Sequence, residues 1–230
     1  REREIQKFQS QATFRIDAEF TTAKGNVFKA KLPKAFESEA AAKAFLDQNT
    51  NAAFAVSSLE KKPAKKSPAP PFTTSTLQQE ASRKLYFSVS KTMNMAQRLY
   101  EAGLITYMRT DSPTLSNQAM KDIEKQIINS YGDKYFEKRT YTAKVANAQE
   151  AHEAIRPTSI SRTPESMQNS LNEYQYKLYQ LIWNRTVASQ MTNSLTEKTT
   201  LITSSSNGED GHKFKSEADK LVFDGFKKLI

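Results

Sequence analysis

Polar and apolar residues alternate with a period of two near the start of the chain. Residues 14–20 follow this alternation, which predicts a strand with one buried face. A turn signal at 24–26 precedes a second apolar run at 27–32, so a β-hairpin is expected. Ser38 can cap a short helix, and residues 53–59 predict a further strand.

From about residue 75 to residue 191 the apolar residues recur every three or four positions, as in amphipathic helices. We predict four helices, which start at a capping box of Ser75 with Gln78 or of Thr76 with Gln79, at Ser90, at about Ser116 and at about Leu171. Gly103 and Gly132 are predicted to end the second and third helices. The predicted inward faces comprise Leu77, Ala81, Leu85, Met93, Ala96, Leu99, Tyr100, Ala119, Ile123, Ile127, Tyr174, Leu178, Leu181, Ile182 and Ala188. Trp183 is expected to pack in the core rather than to stack on a base.

A segment rich in lysine and proline, residues 61–71, separates the first strands from the helices. Proline lacks the N–H that a helix interior or a central strand requires. We favour a solvated, semi-extended connector because charged runs usually face solvent, and a basic arm that contacts DNA is the alternative. Strand patterns return at 199–203, 212–215 and 221–223.

The order of predicted elements is β, then α, then β. The simplest architecture is a multidomain α+β fold, in which a helical domain is inserted into a β-rich domain. We place the helical domain at residues 68–192 and the two parts of the β-rich domain at residues 1–67 and 193–230.

The composition of the 230 residues narrows the function classes. The net charge of +9 favours a polyanionic partner. The chain has no cysteine, so disulfide frameworks and thiolate metal sites are excluded. No apolar run is long enough for a membrane span and no signal-peptide pattern is present. The chain begins at Arg1 without methionine and ends within a predicted element, so we expect a fragment of a longer protein.

Tyr107 and Arg109 follow the second predicted helix, at the end of a short apolar run. Both side chains point the same way if the backbone is extended, and a guanidinium suits forked contacts with phosphate. A tyrosine hydroxyl has an ordinary pKa of about 10, so roughly one in a thousand is ionised at pH 7. The pair suggests a tyrosine nucleophile that acts on a phosphodiester. Such an attack requires a base or a positive field, and Arg109 can supply the field. Composition alone would instead predict an ordinary, half-buried strand tyrosine.

Two further groups of residues surround this pair in our interpretation. Asp111 or Ser112 can cap the helix that follows, or Asp111 can hold Arg109 in place. His152 and Arg156 share one face if residues 149–155 are helical, which would make an anion site. Glu150 and Glu153 could instead pair with Arg156 and leave it no contact with an anion. His212 has no supporting pattern and is predicted to lie at the surface.

Three segments carry a family resemblance. Residues 104–112 (LITYMRTDS), 148–158 (AQEAHEAIRPT) and 71–81 (PFTTSTLQQEA) resemble motifs of type IA DNA topoisomerases, and most closely those of the bacterial enzymes. The resemblance covers nearly the whole chain and weakens over its first and last few dozen residues. It identifies the chain as a central fragment of such an enzyme and implies that these domains form part of an arch.

The resemblance also implies function. Tyr107 would cleave one DNA strand, giving a 5′-phosphotyrosine intermediate that allows negatively supercoiled DNA to relax. Arg109 would assist catalysis, and the implied DNA contacts are Arg109, Asp111, Ser112, His152 and Arg156. The Mg²⁺ of the intact enzyme would be bound by an N-terminal domain, which has no counterpart here, and the fragment would bind no metal. We expect a cytoplasmic, nucleoid-associated monomer that acts on single-stranded or underwound DNA and is inactive alone.

Two alternatives stay open on the residues themselves. A tyrosine recombinase or type IB strand transferase also uses a phenol, although there the tyrosine usually follows its basic partners, whereas Tyr107 precedes His152 and Arg156. The other alternative is a non-catalytic helical DNA-binding module. It predicts that Tyr107→Phe leaves relaxation activity intact in the full-length protein.

Overall fold

The computed structural model of the chain describes residues 1–142, 153–207 and 213–230. The α-helices within these residues are α1 Glu2–Lys7, α2 Glu39–Asn49, α3 Thr74–Leu85, α4 Val89–Glu101, α5 Asn117–Tyr131, α6 Pro164–Met167 and α7 Glu173–Ala188. The strands are β1 Asp17–Thr21, β2 Val27–Lys31, β3 Phe54–Lys66, β4 Ser194–Ser205 and β5 Lys213–Phe223. Short 3₁₀ helices occupy Asp133–Tyr135 and Gly225–Lys228. The predicted mixture of helices and antiparallel strands, an α+β fold, is confirmed.

The chain divides into two compact units. The first unit comprises residues 1–64 and 196–222, and the second comprises residues 65–195 and 223–230. The last eight residues therefore belong with the helices, and Phe226 is buried in the helical core. The domain limits at 67/68 and 192/193 stay a prediction.

The first unit is built on one sheet with the strand order β1-β2-β5-β4-β3. The predicted hairpin is confirmed, because β1 and β2 are antiparallel, with Phe20 opposite Phe28. Its turn contains Gly25, whose φ of +81° suits glycine. β1 begins at Asp17 rather than at Phe14, which instead pairs with Phe36 in an isolated bridge.

The lysine- and proline-rich segment is partly a strand. β3 continues to Lys66 and contains Pro63, so the prediction of a connector is wrong for residues 61–66. β3 is the last strand in the sheet order, and an edge strand tolerates a residue without an N–H. Lys61 lies 3.4 Å from Glu197 of β4. A DNA contact by this segment stays a prediction.

The starts of the helices follow capping chemistry, although not always at the predicted residue. α3 is capped by Thr73, whose side chain and that of Thr76 each accept the other's backbone N–H, so the boxes predicted at Ser75 and Thr76 are wrong. α4 is capped by Ser88 rather than by Ser90. Ser116 caps α5 as predicted, by accepting a hydrogen bond from the backbone of Ala119.

The helical unit buries one apolar core, which includes Leu77, Ala96, Leu99, Ile123, Ile127, Leu178 and Ile182. The prediction for Trp183 is confirmed, because its ring is buried and its Nε1 donates to the carbonyl of Ile160 at 3.0 Å. Tyr100 and Tyr174 were predicted to face inward and are exposed. No helix among the described residues is long and apolar enough to cross a membrane.

Candidate active site

The C-terminus of α4 directs the chain towards Tyr107. Gly103 has a φ of +67°, and its N–H donates to the carbonyl of Tyr100 at 2.8 Å. The N–H of Leu104 donates to the carbonyl of Leu99 at 2.9 Å. These two bonds form a Schellman motif, which confirms Gly103 as the predicted end of the helix.

The segment after Gly103 carries the candidate nucleophile on an irregular stretch that contains bends. Ile105 and Met108 are buried, whereas Tyr107 and Arg109 are exposed. Tyr107 exposes 46% of its surface, and its ring packs edge-on against Tyr100 with the centroids 5.3 Å apart. Among the described residues, no hydrogen-bond partner occupies the Tyr107 hydroxyl. The hydroxyl is therefore available to an incoming group.

A second segment, residues 154–158, lies antiparallel to the first. The N–H of Thr106 donates to the carbonyl of Arg156 at 2.9 Å, and the N–H of Arg156 donates to the Thr106 hydroxyl at 3.0 Å. The same hydroxyl donates to the carbonyl of Ala154 at 2.6 Å. The N–H of Thr158 donates to the carbonyl of Leu104 at 3.0 Å. The backbone that precedes Tyr107 is thus fixed by residues about fifty positions away.

A third segment, at the start of α3, forms hydrogen bonds with the backbone before and after Arg109. The Thr74 hydroxyl donates to the carbonyl of Met108 at 2.8 Å and accepts from the N–H of Thr110 at 2.9 Å. The N–H of Thr74 donates to the carbonyl of Thr110 at 2.8 Å. The N–H of Ile155 donates to the carbonyl of Phe72 at 2.8 Å, so the second and third segments also bind each other. The three motif segments singled out in the sequence therefore meet at Tyr107 and Arg109.

Arg109 borders an open groove of about 420 Å³ lined by Thr74, Ser75, Gln78, Arg109, Thr110 and Asp111. No carboxylate in the described part of the chain lies within 4 Å of its guanidinium, so the predicted Asp111–Arg109 bridge is wrong. The two side chains nevertheless line the same groove. Arg109 therefore has donors that no described residue occupies, while Asp111 adds a negative charge to the same groove.

The helix-capping alternative for Asp111 and Ser112 is also wrong, because α5 begins at Asn117 and Ser116 is its cap. Ser112 is buried. Its N–H donates to the Thr110 hydroxyl at 3.1 Å, and its own hydroxyl accepts from the N–H of Thr114 at 3.2 Å. Ser112 thus stabilises the irregular turn that leaves the candidate site.

Arg156 is largely buried, with 13% of its side chain exposed, and it is engaged within the protein. Its guanidinium donates to Glu153 Oε2 at 2.6 Å and to the carbonyl of Pro157 at 2.8 Å. Its Nε is buried and has no partner among the described residues. The alternative in which Glu153 pairs with Arg156 is therefore confirmed.

Glu153 joins this arrangement to the start of α5. Its Oε1 accepts a hydrogen bond of 2.8 Å from the N–H of Ser116. Burial raises the pKa of the carboxyl, but the bonds from Ser116 and the charge of Arg156 outweigh it and hold the pKa of Glu153 below 4.5. The carboxylate is therefore ionised at neutral pH and able to pair with Arg156.

The prediction that His152 and Arg156 share one helical face requires residues 149–155 to be helical. The described part of this range, residues 153–155, is not helical. Glu153 and Ala154 have no helical structure, and Ile155 forms an antiparallel bridge with Phe72. His152 and His212 both lie outside the described residues. The surface position of His212 therefore stays a prediction. The contact of His152 with DNA stays a prediction.

Sequence reasoning missed Thr74, Thr106 and Tyr100, which shape this region. Thr74 and Thr106 lie inside the motif segments, but a hydroxyl that pairs with a distant backbone leaves no local pattern. Tyr100 is in line with an apolar helix face, so its periodicity predicts burial. In the described ranges, no three acidic or histidine side chains lie together as a metal site.

Comparisons with known proteins agree with the motifs. A protein family described as DNA topoisomerase matches residues 1–230. The chain is 44% identical to DNA topoisomerase 1 of Rickettsia felis, covering 100% of this chain and 32% of the relative. It is 39% identical to DNA topoisomerase 1 of Helicobacter pylori, covering 100% of this chain and 33% of the relative.

A solved structure shows the same fold. Full-length topoisomerase I from Thermotoga maritima superposes with a TM-score of 0.80 at 36% identity, covering 100% of this chain and 37% of that protein. The chain spans about a third of the length of the Rickettsia and Helicobacter relatives.

Proposed function

Since the chain belongs to the DNA topoisomerase family, we propose that it is the central part of a type IA enzyme in which Tyr107 cleaves one DNA strand. The observation that carries the proposal is the exposed, uncommitted hydroxyl of Tyr107, two residues from an exposed Arg109 that has no ion-pair partner among the described residues. The proposed substrate is DNA that is single-stranded or underwound, as the resemblance to type IA enzymes implies.

The proposed reaction is a transesterification. The phenolic oxygen of Tyr107 attacks the phosphorus of a phosphodiester and loses its proton, while the bond to the 3′ oxygen breaks and that oxygen takes up a proton. The strand is then held through its 5′-phosphate, and reversal of the step reseals it. One phosphate ester replaces another, so the step consumes no nucleotide cofactor.

Arg109 supports this step by its charge. Its guanidinium can donate to the non-bridging phosphate oxygens as negative charge develops on them. Asp111 lines the groove beside Arg109 and contributes to the position of the strand. Ser112 is buried, so its contribution to DNA binding is to hold the turn that carries Asp111.

Arg156 acts mainly as a positioning residue in this proposal. Its backbone pairs with Thr106, next to Tyr107, while Glu153 occupies its guanidinium. His152, four residues earlier, supplies the phosphate contact that Arg156 does not make. Type IA enzymes are Mg²⁺-dependent, and we place that ion in a part of the intact enzyme outside this chain.

The test uses the full-length protein that contains this chain. Tyr107→Phe keeps the ring but removes the nucleophile, so relaxation of negatively supercoiled plasmid and the covalent adduct on the 5′ end of a cleaved oligonucleotide should both disappear. DNA binding should be largely retained. Tyr174→Phe is the matched control, since Tyr174 is also exposed and is outside the site.

Relaxation activity in the Tyr107→Phe protein would overturn the proposal and favour the non-catalytic module. An adduct on a 3′ end would favour the strand-transferase alternative instead. A second test uses the isolated chain with supercoiled plasmid and Mg²⁺. We expect no relaxation, because the residues proposed to hold the metal lie elsewhere, and activity of the isolated chain would contradict that division.

A further inference from the structure

The groove beside Arg109 continues along one face of α3. A second groove adjoins it and is lined by Ser75, Gln78, Gln79, Ser82, Arg83 and Val89. Ser75 and Gln78 line both grooves, so the two form one depression that we call the α3 groove. It runs from Arg109 at one end to Arg83 and Val89 at the other.

The lining of the α3 groove is polar and largely uncommitted. The side chains of Gln78, Gln79 and Ser82 have no hydrogen-bond partner within the described part of the chain. Arg83 is exposed and lies 2.8 Å from Glu80. Glu80 also pairs with Lys84 at 3.3 Å and with Arg185 at 3.3 Å, so it neutralises Arg83 only in part.

The length and charge of the groove indicate an extended anion. Ser75 and Arg83 are eight residues apart on α3, which corresponds to about 12 Å along a helix. A single phosphate cannot span that distance, whereas a polyanionic strand can contact the guanidinium at each end and the amide and hydroxyl donors between them. A peptide that binds through apolar anchors would need pockets for them, and among the described residues Val89 is the one apolar side chain that lines the groove.

An exposed tyrosine follows Arg83 by three residues, in the turn that ends α3. Tyr86 lies in the turn between Arg83 and Val89 and exposes 90% of its surface. Its φ of +56° is in the left-handed region, where a side chain is disfavoured. Binding sites for single-stranded nucleic acid combine a basic groove with exposed aromatic rings on which bases stack.

We propose that the α3 groove binds the DNA strand that Tyr107 cleaves, with backbone phosphates at Arg109 and Arg83 and a base stacked on Tyr86. This inference rests on the proposed function for the identity of the strand. It extends the substrate contact well beyond the reacting phosphate, and it assigns a binding role to α3, whose N-terminal Thr74 also holds the Arg109 segment.

The first test measures binding of a fluorescein-labelled oligothymidylate to this chain by fluorescence anisotropy. Arg83→Gln should raise the Kd and should reduce the slope of log K against log salt by about 0.7, the value for one phosphate contact in a single strand. Lys125→Gln removes one exposed positive charge from α5, away from the groove, and should leave the slope unchanged. Equal slopes in the wild type and in Arg83→Gln would overturn the proposal, as would absence of binding.

The second test separates stacking from folding. Tyr86→Gly removes the ring and relieves the left-handed backbone, so the variant should unfold at a higher temperature yet bind oligothymidylate roughly 5-fold or more weakly. With an abasic oligonucleotide of the same length, Tyr86→Gly should bind like the wild type, whereas Arg83→Gln should still be weakened. Unchanged affinity of Tyr86→Gly for oligothymidylate would overturn the stacking contact.

The two proposals fail in different ways. Loss of cleavage in full-length Tyr107→Phe together with unaltered oligonucleotide binding by the groove variants would overturn the α3 groove and keep the proposed function. Weakened binding by the groove variants together with relaxation by Tyr107→Phe would overturn the catalytic role and keep the groove.

Discussion

Thr106 and Arg156 exchange two hydrogen bonds across fifty residues of sequence, immediately beside Tyr107. The Thr106 hydroxyl also donates to the carbonyl of Ala154, so one side chain satisfies groups on two residues of the opposite segment. The position of the candidate nucleophile is therefore determined by a polar contact between two segments and not by a regular strand.

Thr106→Val should destabilise this junction. Valine has a similar shape but no hydroxyl, so the N–H of Arg156 loses its acceptor in a partly buried place, at a cost of about 1–3 kcal/mol in the free energy of unfolding. Urea unfolding of the chain measures this cost. Thr106→Ser keeps the hydroxyl and should stay within about 0.5 kcal/mol of the wild type, and equal losses in both variants would show that the methyl group matters instead.

Glu153 should make stability depend on pH in the acid range. The folded chain holds the pKa of Glu153 below the ordinary value of a glutamate in an unfolded chain. Its contribution to the free energy of unfolding is therefore present above that ordinary value and is lost as the pH falls through the lower pKa of the folded state. The difference in free energy of unfolding between the wild type and Glu153→Gln should narrow on acidification. Glu165→Gln is a control, since Glu165 is exposed and has no ion-pair partner among the described residues. A constant difference between wild type and Glu153→Gln across this range would contradict the prediction.

Tyr86 should be a local weak point of the fold. Its left-handed backbone ends α3, and glycine adopts this conformation without a Cβ clash. Tyr86→Gly should raise the free energy of unfolding by about 0.5–1 kcal/mol. Tyr86→Ala also removes the ring but keeps the Cβ, so it should give no such gain in a thermal or urea titration.

Gly225 allows the end of the chain to pack closely against the helical unit. Its φ is +52°, and a Cβ there would lie 2.3 Å from the carbonyl oxygen of Asn193. Gly225→Ala should therefore destabilise the chain by about 2–4 kcal/mol. Gly132→Ala is the matched control, because Gly132 also has a positive φ, of +92°, but no atom of the described residues lies within 4 Å of the added carbon. A similar, small loss of about 1 kcal/mol in both would show that the contact with Asn193 relaxes.

Much of the secondary structure follows from local patterns, as particular elements show. The hairpin of β1 and β2, the cap at Ser116 and the glycine end of α4 were all predicted from short stretches of sequence. The errors at Thr73 and Ser88 amount to two or three residues, because several hydroxyl residues compete for the cap and local sequence does not rank them.

The environment of the site residues was harder to predict. Tyr100 was assigned to the core by its helical spacing, yet it is exposed and packs on Tyr107. Asp111 was expected to pair with Arg109 or to cap a helix and does neither. Arg156 was expected to bind phosphate, whereas its guanidinium is engaged by Glu153. Each outcome depends on groups distant in sequence, which periodicity does not record.

The sequence by itself determined which residues make up the candidate site, a tyrosine and an arginine two residues apart, within motifs that resemble those of one family. It also determined the helices and the hairpin, since these depend on neighbours a few residues away. Tertiary structure alone decided which side chains stay free. Contacts between residues 72–74, 104–110 and 153–158 engage Thr106 and Arg156, whereas Tyr107 and Arg109 have no polar side-chain partner among the described residues. These contacts form only when segments distant in sequence meet.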